Sequence, residues 1–317
     1  MSSCVVDLLR TPSCHDGASY VPKDDSRRGS VEQAPLVCRI VPVLVTSAHR
    51  SLERRLVLRL LEEGGEVRAY GHGDTSVLRA AGAFVASGTP DDEGRLDAAC
   101  TDVHTVVHVG TGLLTQDPDD LIRDVEVLLR AVAGAQVRRV IALSLPGAVA
   151  TARDPIRRAM AEVEQRLADA AVPTVVIRAS LVATPGLADA LATAGVDPDT
   201  QRTPVAAVRA EDLLELIVAF DQARSRSASG HLVVSADGPE RLTIAELMER
   251  QGIEAPGQGS LVGRRLPPAW VAERLDEALR GPWWNDDPVV FDGWGFAGFE
   301  PRPVPGAGET PPGEAST

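Results

Sequence analysis

The stretch "VPVLVTSAHRSLERRLVLRLLEEGGEVRAY", residues 41–70, decides the architecture. Val43–Thr46 is a short apolar run of strand character, and Ser51–Glu63 places Leu52, Leu56 and Leu60 on one stripe at helical spacing. Gly64-Gly65 stops that helix, and Glu66–Tyr70 supplies the next strand. Strand, turn, helix and strand make a crossover unit. Where such a unit holds a phosphate, glycines in its first turn bring backbone N–H groups close to the ligand. Here that turn reads Thr46-Ser47-Ala48-His49-Arg50-Ser51-Leu52-Glu53, without a glycine.

The alternation continues downstream. The sequence predicts a helix around Thr75–Ala81, a strand at Ala83–Ala86, a short helix at Leu96–Cys100 and a β-branched strand at Thr105–Val109. Helices at Asp119–Ala133 and Arg157–Ala170 flank a strand at Arg139–Leu143, and Thr174–Ile177 is a further buried strand. Glu211–Ala223 reads as a helix and His231–Ser235 as a strand. Thr243 and Glu246 then form a capping box, with Leu242 and Leu247 as its staple. Strands separated by helices of these lengths predict an α/β fold with a doubly wound parallel sheet, whose ligands lie beyond the carboxyl ends of the strands.

Composition narrows the partners. The formal net charge is −13, so neither nucleic acid nor an anionic membrane is an expected partner, because both demand basic surfaces. No apolar run approaches the ~20 residues that span a bilayer. Cys4, Cys14, Cys38 and Cys100 form neither a disulfide framework nor a zinc spacing. No metal site is expected, and this cysteine usage suits a reducing cytoplasm. Residues 1–35 lack periodicity and read as a disordered leader without a secretory signal. "PRPVPGAGETPPGEAST" at the other end reads as a disordered tail. Trp270, Trp283, Trp284 and Trp294 all fall between residues 270 and 299, which suggests a small lobe with its own packing.

Taken in order, "VLVT", "RRLVLRLLEEGGEVRA", "LDAACTDVHTVVHV", "VRRVIALS", "VPTVVIRAS", "VAAVRAEDLLELI", "GHLVVSADGPERLTIAEL" and "GFAGFEPRP" resemble the short-chain dehydrogenase/reductase superfamily. The resemblance is to its extended or atypical branch, which holds NAD-dependent epimerase/dehydratases and NmrA-like proteins, and it covers roughly residues 40–303. It implies a Rossmann-type core over 37–180 after a leader of 1–36. It also implies that 204–235 completes the core, that the rest of 181–303 builds a small C-terminal α/β lobe, and that 304–317 is a tail.

The same register shows departures. The three glycines of the family's turn fall on Ser47, Arg50 and Glu53, which opposes close approach of a pyrophosphate, although the helix N-terminus, His49 and Arg50 still favour an anion. In the family an acidic residue or Arg after the second strand meets the ribose; Tyr70-Gly71-His72-Gly73 stands there, with Asp74 a little late. The family's Gly-Asp after the third strand reads Gly88-Thr89. Gly110 and Gly112 after the fourth strand are kept. Cofactor expectation is therefore none, or weak NAD(P), held by Ser47, Arg50, Glu53, His72, Thr89, Gly110 and Gly112.

Catalysis in the family rests on a Ser/Thr–Tyr–Lys arrangement, in which the Tyr exchanges a proton and the Lys lowers its pKa. Ser144 keeps the first position, but the Tyr and Lys positions are Ile156 and Met160. Lys23 is the only lysine in the chain, and Tyr20 and Tyr70 the only tyrosines, so no Tyr-x-x-x-Lys pair exists anywhere. Asp154, in the loop before that helix, is the best-placed carboxylate. His49, His72, His104 and Asp124 are the other acid/base candidates, His108 reads as core, and Glu162 and Glu164 read as facing water. Three readings stay open: a catalytically degenerate protein that binds a small ligand or a regulatory partner; an NAD(P)-dependent oxidoreductase or epimerase with substitute residues; and a subunit that forms a homo- or hetero-dimer through the helices at 119–133 and 157–170.

Overall fold

A computed structural model of the chain describes residues 42–110, 117–184, 187, 191, 197–223, 230–252, 279–287 and 290–306. In chain order its strands are β1 Val43–Val45, β2 Val67–Gly71, β3 Phe84–Ser87, β4 Thr105–His108, β5 Arg139–Ser144, β6 Thr174–Ala179, β7 Val182–Ala183, β8 Pro204–Val205, β9 Val208–Arg209, β10 His231–Ala236, β11 Leu242–Thr243 and β12 Phe291–Asp292. The helices are α1 Ser51–Glu62, α2 Ser76–Ala80, α3 Glu93–Cys100, α4 Pro118–Gly134, α5 Pro155–Ala168, α6 Pro198–Gln201, α7 Ala210–Gln222, α8 Ile244–Arg250 and α9 Gly293–Ala297.

Eight strands form one parallel sheet in the order β12-β10-β6-β5-β4-β1-β2-β3. β1 pairs with β2 on one side (Val43↔Val67) and β4 on the other (Val43↔Thr105). The winding reverses between β1 and β4, which makes the carboxyl ends of those strands the switch-point crevice. Central strands are apolar on both faces because helices cover both. Leu44, Val106, Val140 and Val176 pack against α3, α4 and α5. Their neighbours Val43, Val45, Val107, Ile141 and Ile177 pack against α1 and α7. Among the described residues no helix is long and apolar enough to cross a membrane.

Caps place the helix starts. Asp117 accepts from the Asp119 N–H at 3.0 Å ahead of Pro118, and Asp154 accepts from the Ile156 N–H at 2.9 Å ahead of Pro155. Both helices therefore begin a residue or two before their apolar periodicity does. The capping box at Thr243 is present: its N–H donates to Glu246 at 2.7 Å, and its hydroxyl accepts from the Glu246 N–H at 3.2 Å. β12 is too short to show any alternation, so the sequence reading missed it.

Two expectations change. Trp283 belongs to the core on the α4/α5 face and Trp294 to the core on the α1/α7 face, so these two tryptophans do not make a cluster of their own. Phe296 stacks on Phe220 of α7 at 4.3 Å, which ties α9 to the main sheet. The supposed tail is anchored at two residues: Val304 is buried, and the Arg302 N–H and Nε–H both donate to the Asp212 carboxylate at 2.6 Å. A buried Asp on α7 captures this segment, and Pro/Gly-rich composition alone does not reveal such a partner. The leader, Trp270 and Gly112 lie outside the described residues.

Candidate functional site

The loop after β1 folds over the switch point without its glycines. Ser47 adopts φ +53°, the left-handed conformation that glycine ordinarily supplies. The Ala48 N–H donates to the Tyr70 carbonyl at 2.9 Å and holds the loop against the end of β2. Gly71 is needed there, since a Cβ would sit 3.0 Å from His49 Nδ1 and 3.1 Å from the Ala48 nitrogen.

A cleft of about 340 Å³, counted with the open solvent at its mouth, lies at the carboxyl ends of β1, β2, β3 and β4. Of the residues singled out by sequence, it gathers Ser47, His49, His72, His108 and Asp124. Tyr70 and Leu128 also line it. The imidazoles of His49 and His72 meet at 3.9 Å between centroids. His108 Nδ1 and the Thr46 hydroxyl share a hydrogen bond of 2.9 Å. Burial, then repulsion from His72, Arg50 and Arg54, pushes His49 down to about 4; burial, then Arg50, does the same to His108. Both imidazoles are neutral at pH 7, and the Arg50 charge stands close to each. Gly110, at φ +59°, lies next to His108, where a Cβ would be 3.5 Å from Nε2.

Tyr70 lies next to the end of β2 and opens the stretch that stands at the ribose position. Its hydroxyl donates to the Thr89 carbonyl at 2.8 Å and leans over Gly88, where a Cβ would lie 2.3 Å from it. Burial, then Asp92, pushes the phenol up to about 12, so it stays protonated as a donor. The available signal was that Tyr70 is the only tyrosine outside the leader. Glu53, at the third glycine position, is 0% exposed on the inner face of α1. His104 departs from expectation: it precedes β4, and its N–H donates to the Pro42 carbonyl, so it lies at the opposite edge of the sheet.

The second half of the crevice lies over β5 and β6. Ile156 and Met160 are 1% and 3% exposed, packed into the α4/α5 core. Asp154 is no open acid/base group. Its Oδ1 caps α5 and its Oδ2 accepts from Arg157 Nη1 at 2.7 Å, with both side chains buried. Arg157 also donates to the Pro146 carbonyl at 3.0 Å and the Pro282 carbonyl at 2.9 Å. Glu164 is likewise buried, not water-facing. It accepts from the Ser144 hydroxyl and from Arg178 Nε at 3.0 Å and Nη2 at 2.7 Å. Helix periodicity identifies the inward face but not an arginine on a neighbouring strand that makes a buried glutamate tolerable. Among the described residues no group of three or more His, Cys, Asp or Glu is arranged to hold a metal ion. Cys100 is buried and unpaired.

No family model matches the chain, and no curated protein matches it in sequence. Its structure does match solved structures. A nucleoside-diphosphate-sugar epimerase from Staphylococcus aureus aligns with a TM-score of 0.63 at 12% identity, over 83% of this chain and 98% of the other. The triphenylmethane reductase of a Citrobacter species, complexed with NADP(H), aligns at 0.62 with 16% identity over 83% and 97%. The NADPH-dependent quinone oxidoreductase of Escherichia coli, complexed with NADPH, aligns at 0.61 with 19% identity over 83% and 96%. The chain thus shares the Rossmann-type, doubly wound α/β fold of these solved structures.

Proposed function

We propose that this chain is a binding or regulatory protein on a reductase fold, without hydride-transfer chemistry. One observation carries the reading: the two side chains in place of the proton-transferring pair are aliphatic and thioether groups buried in the core. The nearest carboxylate, Asp154, is committed to a helix cap and to Arg157. Among the described residues, neither side chain at those two positions, Ile156 or Met160, can exchange a proton with a substrate oxygen. Among the described residues an open cleft remains with Ser47, His49, Tyr70, His72 and His108, and the proposed small ligand belongs there.

The turn from β1 into α1, beside that cleft, does not fit a dinucleotide held in the family's manner. In register, Arg50, the N-cap of α1, stands where the family's second glycine gives the pyrophosphate bare backbone, and Glu53, buried on the inner face of α1, stands where the third keeps the helix–strand contact thin. Dissociation constants for all four nicotinamide dinucleotides are expected above ~1 mM, which is about 4 kcal/mol of binding free energy. Calorimetric titration checks this, together with a hydride-transfer assay over nucleotide sugars, ketones and aldehydes, which should show no turnover. Gly110 keeps its positive φ at the end of β4 and favours the second reading, an NAD(P)-dependent oxidoreductase or epimerase with substitute residues. Micromolar dinucleotide binding with turnover would establish that reading and refute ours. For dimerisation through α4 and α5, the outward faces carry Arg123, Arg130, Arg158 and Glu162 and no exposed large apolar side chain.

A further inference from the structure

The crevice over the carboxyl ends of β5 and β6 is filled by the chain itself. Residues 279–287 cross it as a strap in which only Leu279 and Trp283 are buried. Trp283 is 1% exposed, its indole N–H donates to the Leu279 carbonyl at 3.2 Å, and the Arg157 guanidinium lies 4.8 Å from its ring. Three donors converge on two successive strap carbonyls. Arg157 Nη2 donates to Pro282 at 2.9 Å, while the Ala206 N–H at 3.0 Å and the Ser180 hydroxyl donate to Trp283. The approach is close enough to demand glycine on both sides. A Cβ on Gly147 would lie 2.4 Å from Pro282 Cγ, and one on Gly281 would lie 2.2 Å from Arg157 Nη1.

We propose that the strap is the internal occupant of a second binding site, whose ligands are flat aromatic rings carrying an adjacent carbonyl or carboxylate oxygen. The ring takes the place of the Trp283 indole beside the guanidinium, and the oxygen takes the donors that now hold the strap carbonyls. Arg157 is kept in position without the strap by Pro146 and Asp154, so the receptor is preorganised. It lies on the same carboxyl edge of the sheet as the switch-point crevice between β1 and β4. With two buried side chains, the strap opens in a local event that leaves the sheet folded, and a ligand competes with it. This goes beyond the non-catalytic reading and stands whether or not a dinucleotide binds at the β1/β4 cleft.

The test uses the full chain with Trp283→Ala and two probes, indole-3-acetamide, which has ring and carbonyl, and 3-methylindole, which has the ring alone. Indole-3-acetamide at about tenfold its half-saturating concentration should raise the Tm of the variant by roughly 3 °C or more. It should raise the wild type much less, and 3-methylindole should do little to either. Equal shifts from both probes would mean simple refilling of a hole and overturn the proposal. So would equal shifts in wild type and variant, or no shift in a folded variant. Should the variant not fold, native-state hydrogen exchange of the wild type decides. The Ala206 and Asn285 amides, which donate to Trp283 and Asp237, should open at lower denaturant than those of β5 and β6. Opening only together with the sheet overturns the proposal.

Discussion

At position 47 a serine holds a left-handed backbone, with φ +53°, because the loop must turn sharply between β1 and α1. That conformation costs a residue with a Cβ about 1–2 kcal/mol, while glycine loses roughly 0.5–1 kcal/mol of chain entropy. Ser47→Gly should therefore stabilise the protein by about 0.5 kcal/mol, measured as a shift of the denaturant midpoint at unchanged slope. His108 allows a second prediction at this scale. Its folded pKa, about 4, lies below the unfolded value near ~6.5, so the unfolded chain takes up the proton first. The stability that this histidine contributes is complete above pH ~6.5 and is lost as the pH falls towards 4. His108→Gln keeps a hydrogen-bonding group beside Thr46 and removes the titration. Its stability should fall less steeply than that of the wild type between pH 7.5 and 5, and equal slopes would count against the burial argument.

The start of α5 shows how one element commits a candidate acid/base carboxylate to a structural role. Asp154 caps the helix and pairs with Arg157, which is 1% exposed and reaches carbonyls on two other segments. Asp154→Ala removes a cap worth about 1 kcal/mol and strands a buried guanidinium, which costs roughly 3–5 kcal/mol more. Thermal unfolding should show a loss of several kcal/mol. The double change Asp154→Ala with Arg157→Met should recover part of it, since replacing both charges leaves no unpaired ion. If Asp154→Ala is instead tolerated within 1 kcal/mol, the pair is not structural, and an acid/base role for this carboxylate becomes worth testing. In the sequence Asp154 stood out for its place near the lost pair. Its partner Arg157 lies only three residues on, but the burial of that pair was not legible, because the Pro282 carbonyl that Arg157 also holds lies 125 residues further along the chain.

Across the whole molecule, the proposed reading puts the obstacles to cofactor binding and to chemistry at separate places, so the two should be restored separately. Replacing Ser47, Arg50 and Glu53 by glycine gives the turn at the β1/β4 crevice the family's three glycines. It should tighten NAD(P) binding at least tenfold, a gain of about 1.4 kcal/mol by calorimetric titration. Adding Ile156→Tyr and Met160→Lys should not yield an enzyme. Both positions are buried in the α4/α5 core, so the lysine charge would be stranded and the tyrosine overpacked. The quintuple variant is expected to lose several kcal/mol of stability and to show no hydride transfer. Turnover by a folded quintuple variant would mean that this core can accommodate the pair and the strap can move aside.

Local order in the chain was enough to determine the parallel α/β architecture. Apolar runs of period 2 and 3.6, Gly64-Gly65 and the Thr243–Glu246 box each act within a few residues, and each is visible in the sequence. The missing glycines and the missing Tyr–Lys pair were legible for the same reason, as residue types at known positions. What the tertiary structure alone decided are the pairings between distant segments: Tyr70 over Gly88, Arg178 with Glu164, Arg302 with Asp212, and the strap on Arg157. A buried charge or an apolar tail residue is favourable only with its partner in place. Which partner arrives is settled by how sheet and helices close around the core, not by spacing along the chain.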